Sequence, residues 1–306
     1  MTALSVVIVT FNPGELVLEC LRSLPGNVAG EPLEVIVVDN ASQDGTPSRI
    51  EGEFPHVRLI ANQSNGGFAA ANNQGLRLAR GQYLLLLNPD VVVHPGALES
   101  MVAYMEASPQ VGIVGPRTFD GMGQVALTAR PEFTPLSILW QYLQLHRLFP
   151  NRVTGRYRRA ALASQHPFEV SWVQASCLML RRAVYEEIGG LDEGFFLFAE
   201  EPDLCERARS QGWEVVYLPS AEVTHYESST TSRYAPQKIR CHHISPLYYF
   251  RKRDQKGPIR VLKVGFTIEL IVKLAIRLAE AIVRHDSERL GRVVVYWNVL
   301  GEVWRY

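Results

Sequence analysis

Four short apolar runs, at residues 4–9, 33–38, 57–60 and 83–87, alternate along the chain with helix-compatible stretches at 14–24, 46–53, 67–79 and 96–107. This β-α-β-α order predicts an α/β fold built on a doubly wound, mostly parallel sheet. The run YLLLLNPD makes the pattern most plainly. Four leucines without polar interruption describe a strand covered on both faces, although periodicity alone also allows a buried helix segment. Pro89 favours the strand: it lacks an N–H for a ladder and restricts Asn88 to extended geometry, so the strand stops there and leaves Asp90 just beyond its carboxyl end.

Sheets of this kind bind ligands beyond the carboxyl ends of their strands, near the point where strand order reverses. The segments to be read together are therefore Thr10-Phe11-Asn12, Asp39-Asn40, the loop from Asn62 to Gly67, and Asn88-Pro89-Asp90. After residues 111–115 the rhythm changes. Residues 116–167, with an amphipathic stretch near 135–148 and the basic patch GRYRRA, read as a connection that shapes an acceptor cleft. A second apolar block, SWVQASCLMLRR, precedes GGLDEGFFLFAEEPDLCERARSQGWEVVYLP. There, residues 195–198 read as a short buried element, 200–211 as a helix ended by Gly212, and 213–218 as a strand.

Composition narrows the class. The 306 residues are 47% hydrophobic, enough for a sizeable core, and Lys plus Arg equals Asp plus Glu at 31 each, so overall charge points to no nucleic acid. The charge is unevenly placed: from Arg233 onward fifteen basic residues face six acidic ones. This end reads as helical and basic. Residues 261–283 are apolar but carry Lys263, Glu269, Lys273, Arg277 and Glu280, too many charges for an ordinary spanning helix. Cys20, Cys177, Cys205 and Cys241 show no CxxC spacing, so neither a zinc site nor a disulfide framework is expected. MTALSVVIVTFN has no basic leader region or small-residue cleavage site, and export is not indicated.

Candidate chemistry collects at the strand ends. Asp39 opens DNASQDGT, where Asp44-Gly45 reads as a turn and Thr46 as a helix cap; Asp39 either orders that turn or accepts hydrogen bonds from a ribose or base. The adjacent glycines of NQSNGGFAAANNQG allow positive φ and close backbone approach where a helix begins. Asp90 either caps its turn or binds a hard cation, Mg²⁺ or Mn²⁺, with a diphosphate and water; His225 in EVTHY is the candidate second ligand. Glu200, Glu201 and Asp203 surround Pro202 at a helix start. The helix dipole explains them, and so does a general base raised in pKa by the neighbouring FFLF.

Taken in order, SVVIVTFN, VIVVDNASQDGT, NGGFAAANNQG, LLLLNPD, WVQASCLMLRR, GGLDEGFFLFAEEPDLCERARSQGW and VTHYESSTTS resemble family 2 glycosyltransferases of the GT-A fold. The likeness is to the bacterial rhamnosyltransferase-like branch that builds surface polysaccharides, and it covers about residues 4–232. The resemblance implies that Thr10, Phe11, Asn12 and Asp39 hold the nucleoside and that Asn72 lies near the sugar-phosphate. Asp90 then matches the last acid of the metal motif, whose first acid is Asn88 here, and His225 matches a histidine that completes the site. Glu201 takes the acceptor-activating base position with one methylene more than the usual Asp; Asp203 is the runner-up. Trp172 and Gln174, beside Ala175 where glycine is usual, fall with Glu200 on the acceptor side.

These implications give residues 1–232 as a nucleotide-sugar-binding catalytic domain and 233–306 as a helical region for membrane-surface or subunit contact, the latter leaving homo-oligomer formation open. The expected activity is an inverting, metal-dependent transfer of rhamnose from dTDP-rhamnose, or of a hexose from a UDP-hexose, to a saccharide or lipid-linked acceptor. The expected place is the cytoplasm, at the inner face of the plasma membrane if the C-terminal region binds there. A non-catalytic nucleotide-sugar-binding protein is the reading from another class; it needs Asp39 and Asp90 but no acceptor base.

Overall fold

The computed structural model describes residues 3–149, 152–226, 235–284 and 287–306. Residues 227–234, which hold the end of the VTHYESSTTS motif and the expected boundary after 232, lie outside the described residues. The chain forms two compact units: residues 1–132, 156–193 and 200–230 make the first, and residues 133–155, 194–199 and 231–306 the second.

The first unit opens with β1 (Leu4–Thr10), α1 (Leu16–Arg22), a small hairpin of β2 (Asn27–Val28) and β3 (Glu31–Pro32), β4 (Glu34–Asp39), α2 (Thr46–Glu53) and β5 (Arg58–Ala61). It continues with α3 (Phe68–Leu78), β6 (Tyr83–Leu87), β7 (Val91–Val93), α4 (Ala97–Ala107), β8 (Val111–Asp120) and β9 (Ala129–Arg130). After α5 (Pro135–Tyr142) and α6 (Leu145–Leu148) of the second unit, the chain returns with α7 (Gly155–Ala163), β10 (Phe168–Glu169), β11 (Trp172–Val173) and β12 (Cys177–Arg181). The unit ends with α8 (Arg182–Ile188), α9 (Glu200–Ser210) and β13 (Glu214–His225).

The sheet runs β10-β13-β8-β12-β6-β1-β4-β5, with β7 added on β13. Strands β5, β4, β1 and β6 are mutually parallel, whereas β12 enters antiparallel between β6 and β8. Successive side chains of a strand point to opposite faces, and both faces here are covered. Leu4, Val6 and Ile8 of β1 pack with α1 and α4, while Val7 and Val9 pack with α3. The leucine run of β6 divides the same way, Leu85 and Leu87 to one layer and Leu84 and Leu86 to the other. Helix α3 comes so close to the sheet that a Cβ on Gly75 would meet Val7 Cγ1 at 2.4 Å.

Two local expectations shift. The cap of α2 is Gly45, with φ of 83°, rather than Thr46; the Asp44 carboxylate accepts from the Thr46 N–H at 3.1 Å and hydroxyl at 2.6 Å. Strand β13 runs twelve residues to His225 rather than ending at 218, because a register shift between Leu218 and Glu222 absorbs Pro219.

The second unit is helical: α5 and α6 join α10 (Ala235–Arg251), α11 (Lys256–Arg284) and α12 (Ser287–Arg305). Ile138, Leu247, Phe266, Leu270 and Val303 form its core. Gly265 lets α11 approach α5, since a Cβ there would meet Leu139 Cδ2 at 2.2 Å. Inside, His243 Nε2 lies 2.9 Å from Glu269 Oε2, and Lys273 pairs with the other oxygen of Glu269. His242 stacks on Tyr142 at 4.0 Å between ring centroids. Among the described residues no helix is long and apolar enough to cross a membrane.

Candidate active site

The parallel half of the sheet brings the ends of β1, β4 and β6 to one edge. Thr10 is the register partner of Asp39, and Leu87 that of Ile8, two residues before the end of β1. Asp39 is 1% exposed and divides its carboxylate. Oδ2 accepts from the Ser42 N–H at 2.8 Å, which orders the DNASQDGT turn, while Oδ1 is buried with no hydrogen-bond partner among the described residues. The Thr10 hydroxyl is buried in the same condition. Burying such groups unpaired costs about 1–3 kcal/mol each, so their persistence here points to a ligand that supplies the missing bonds. Phe11 follows, partly buried. Asn12 adopts φ of 49° and is fixed twice: its N–H donates to Ser42 Oγ at 2.8 Å and its Oδ1 accepts from the Gln43 N–H at 2.7 Å.

The loop into α3 is locked by asparagines. Asn62 Nδ2 donates to Asn40 Oδ1 at 3.0 Å and to Gln74 Oε1 at 2.8 Å, and Asn40 Nδ2 donates to the Gly67 carbonyl at 3.1 Å. Gly67 has φ of 90°, the conformation that its lack of a Cβ permits. Asn72 is buried and turns its amide back to the Phe68 carbonyl at 2.9 Å. Its neighbour Asn73, which sequence reasoning missed, clamps the 191–193 loop: Nδ2 donates to the Leu191 carbonyl at 2.7 Å and Oδ1 accepts from the Leu191 N–H at 2.9 Å. Only the doublet of polar amides in an Ala-rich helix marked it.

At the end of β6, Pro89 turns the chain, and the Val91 N–H donates back to the Asn88 carbonyl at 3.3 Å. Asp90 is part of this turn. Its Oδ1 lies 3.0 Å from His225 Nε2, both side chains only 12% exposed, and its carbonyl accepts from the Tyr226 N–H at 2.9 Å. The long β13 is what carries His225 there, opposite Val91 of β7. Two donors each about 2.1 Å from a small divalent cation and at right angles around it stand about 3 Å apart, so this oxygen and nitrogen fit such an ion. Among the described residues no group of three or more His, Cys, Asp or Glu has the arrangement of a metal cluster; the pair would leave the other positions to a diphosphate and water.

Helix α9 presents the acids. Glu200 is buried. Glu201 is partly buried, with Oε1 3.4 Å from the Ala175 N–H. Burial pushes its carboxyl above the ordinary 4.5, opposed by its own N–H, that of Ala175 and the positive charge of Arg130. Asp203 faces elsewhere: fully buried, it pairs with Arg207 Nε at 2.9 Å, and Arg207 also holds the carbonyls of Ile188 and Gly190 at 2.7 Å each. The ribbon of β9 and β11 runs alongside, with the Arg130 guanidinium 5.7 Å from the Trp172 ring and the Gln174 N–H 3.3 Å from the Thr128 carbonyl. A cavity of about 660 Å³ opens beside this ribbon, lined among others by Glu132, Arg156, Tyr157, Phe168, Glu169 and Arg209; it touches neither Glu201 nor Asp90.

One strand start links the two centres. The Ala175 N–H faces Glu201, and the next residue, Ser176, accepts the Asn88 N–H on its carbonyl at 2.9 Å. The sheet thus gathers an open carboxylate oxygen at Asp39, an Asp–His pair, and a carboxyl whose proton affinity is raised. A sequence profile described as Glycosyl transferase family 2 matches residues 5–189, more than half of the chain.

The chain belongs to glycosyl transferase family 2.

Its match contains Thr10, Asp39, Asn72, Asn88, Asp90, Trp172 and Gln174 and ends before α9 and His225. An N-acetylglucosaminyl-diphospho-decaprenol L-rhamnosyltransferase of Mycobacterium tuberculosis is 32% identical over 274 residues, 84% of this chain and 88% of that protein. Among solved structures, S. aureus TarS 1–349 shares 16% identity with a TM-score of 0.52, over 85% of this chain and 69% of that one. GalNAc-T7, crystallised with UDP, GalNAc and Mn²⁺, shares 17% identity with a TM-score of 0.54, over 83% of this chain and 51% of that one. The chain is therefore a rhamnosyltransferase-like glycosyltransferase with the GT-A fold and added C-terminal helices.

Proposed function

We propose that this glycosyltransferase moves rhamnose from dTDP-rhamnose, with inversion, to a lipid-linked saccharide in the making of a cell-surface polysaccharide. The observation that carries the reading is the backbone link from Glu201 through Ala175 and Ser176 to Asn88, which ties a base to the Asp90–His225 pair. The likeness to a rhamnosyltransferase acting on a decaprenyl diphosphate sugar supports both donor and acceptor class. Asp39 Oδ1 and the Thr10 hydroxyl receive the nucleoside, with Phe11 and Asn12 shaping that end and Asn72 behind the sugar-phosphate.

Asp90 and His225 would hold Mg²⁺ or Mn²⁺, which when bound offsets charge on the leaving diphosphate. Glu201 takes the proton of the acceptor hydroxyl. The acceptor oxygen attacks the anomeric carbon from the face opposite the diphosphate, which leaves with the electrons of the broken C–O bond. Trp172, Gln174 and Glu200 border the acceptor, and Asp203 positions α9 through Arg207 rather than meeting substrate. Residues 1–232 carry this chemistry, and 233–306 serve contact with a membrane surface at the cytoplasmic side or with a second subunit.

Glu201→Gln tests the assignment. Transfer is expected to fall by about 10²–10⁴-fold while dTDP-rhamnose with Mg²⁺ or Mn²⁺ still raises the melting temperature. The anomeric configuration of the wild-type product, read by NMR, should be opposite to that of the donor. A Gln variant at wild-type rate sinks the base, and retention of configuration sinks the mechanism.

A further inference from the structure

Helices α11 and α12 leave a wide apolar face open in the second unit. Val261, Val264, Ile268, Ile271, Val272 and Ile276 of α11 are each 51–54% exposed. Their spacing of three, four, three, one and four residues puts all six on one side of the helix, a stripe about 22 Å long at 1.5 Å per residue. On α12, Val294, Trp297 and Trp304 are 58%, 67% and 55% exposed and follow the same helical spacing. The two helices share the surface. Trp304 Nε1 donates to Thr267 Oγ1 of α11 at 2.9 Å, and the Lys263 ammonium lies 5.8 Å from the Trp304 ring.

Charge decides what covers it. Among the charged residues of these helices whose exposure is described, the exposed ones are Lys256, Arg260, Arg292 and Arg305, all basic. Of the carboxylates on these helices whose side chains are described, each is turned inward or engaged: Glu269 with His243 and Lys273, Glu280 with Arg277, Glu302 with Arg240. A two-fold contact through this face would set the same basic rim against itself. An anionic bilayer offers acyl chains to the stripe, phosphates to the rim and an interfacial layer to the tryptophans.

We propose that this α11–α12 face lies flat on an anionic membrane surface. The inference rests on the second unit alone, so it stands or fails separately from the transfer chemistry, although a lipid-linked acceptor gives it a purpose. The test uses the full chain and vesicles of phosphatidylcholine with or without phosphatidylglycerol. The wild-type protein should float with the anionic vesicles at low salt, weakly or not at all with neutral ones, and lose binding as salt rises. Ile268→Glu/Ile271→Glu should weaken flotation by at least about tenfold, given the apolar transfer lost at two side chains. Trp297→Ala, a milder change, should weaken it less. Both variants should keep the wild-type melting curve and the wild-type rate on a water-soluble acceptor, whereas Glu201→Gln should float normally and fail to transfer. Absence of flotation with anionic vesicles overturns the proposal. So does a wild-type dimer, seen by analytical ultracentrifugation, that the double substitution dissociates without any change in vesicle binding.

Discussion

Glu201 is subject to opposed influences. Burial raises its proton affinity, and the Ala175 N–H and Arg130 lower it. A base works only when ionised, so kcat/KM should drop as pH falls through a value above the ordinary 4.5. Arg130→Ala removes one lowering influence and should move that acid limb to still higher pH, read from the pH profile of kcat/KM. Asp203 should respond differently. Asp203→Ala leaves the Arg207 cation without its buried partner, and loss of one partner of such a pair costs about 3–5 kcal/mol, so urea denaturation should show a large loss of stability. Glu201→Gln should show almost none. The sequence placed three acids at one helix start and left their roles open. The step from Asp203 to Arg207 is four residues, so that ion pair was legible in the spacing; the approach of Ala175 to Glu201, 26 residues away, was not.

Elements packed on both faces of the sheet tolerate little added volume. Gly75→Ala would improve helix propensity by about 1 kcal/mol, yet its new methyl meets Val7, a fully buried β-branched side chain with no room to turn. Overpacking of this kind costs about 1–3 kcal/mol, so the net change should be destabilising, read as a lower melting temperature. The parallel strands were legible because unbroken apolar runs between helical stretches have few other solutions. Two features were hidden. The antiparallel entry of β12 between β6 and β8 is a non-local pairing that no local period encodes. The full length of β13 was masked by Pro219, which reads as a strand end until the register shift beside it is seen.

For the molecule as a whole, pH acts through the helical unit. Burial, helped by His243 and Lys273, holds the His242 imidazole down to about 3, against an ordinary 6.5. Above 6.5 the ring is neutral folded or unfolded and costs nothing. Below it the unfolded chain gains a proton that the folded one refuses, so stability is lost progressively until about pH 3. The loss from this group at pH 5 is on the order of 2 kcal/mol, and His242→Phe should flatten the fall in melting temperature between pH 7 and 5. The uneven charge of the sequence marked this end of the chain as different; which faces were covered could not be read before the helices were paired.

Asp90 and His225 stand 135 residues apart in the chain and 3.0 Å apart in space. That separation is also an interval of time. At about 5–20 residues per second, a ribosome needs roughly 7–27 s to travel from one to the other. For that interval the nascent protein has the end of β6 without the strand that completes its edge, since β13 must first settle beside β8. A message cut short between codons 90 and 225 therefore yields a chain that holds Asp90 without His225, its Asp–His pair unmade.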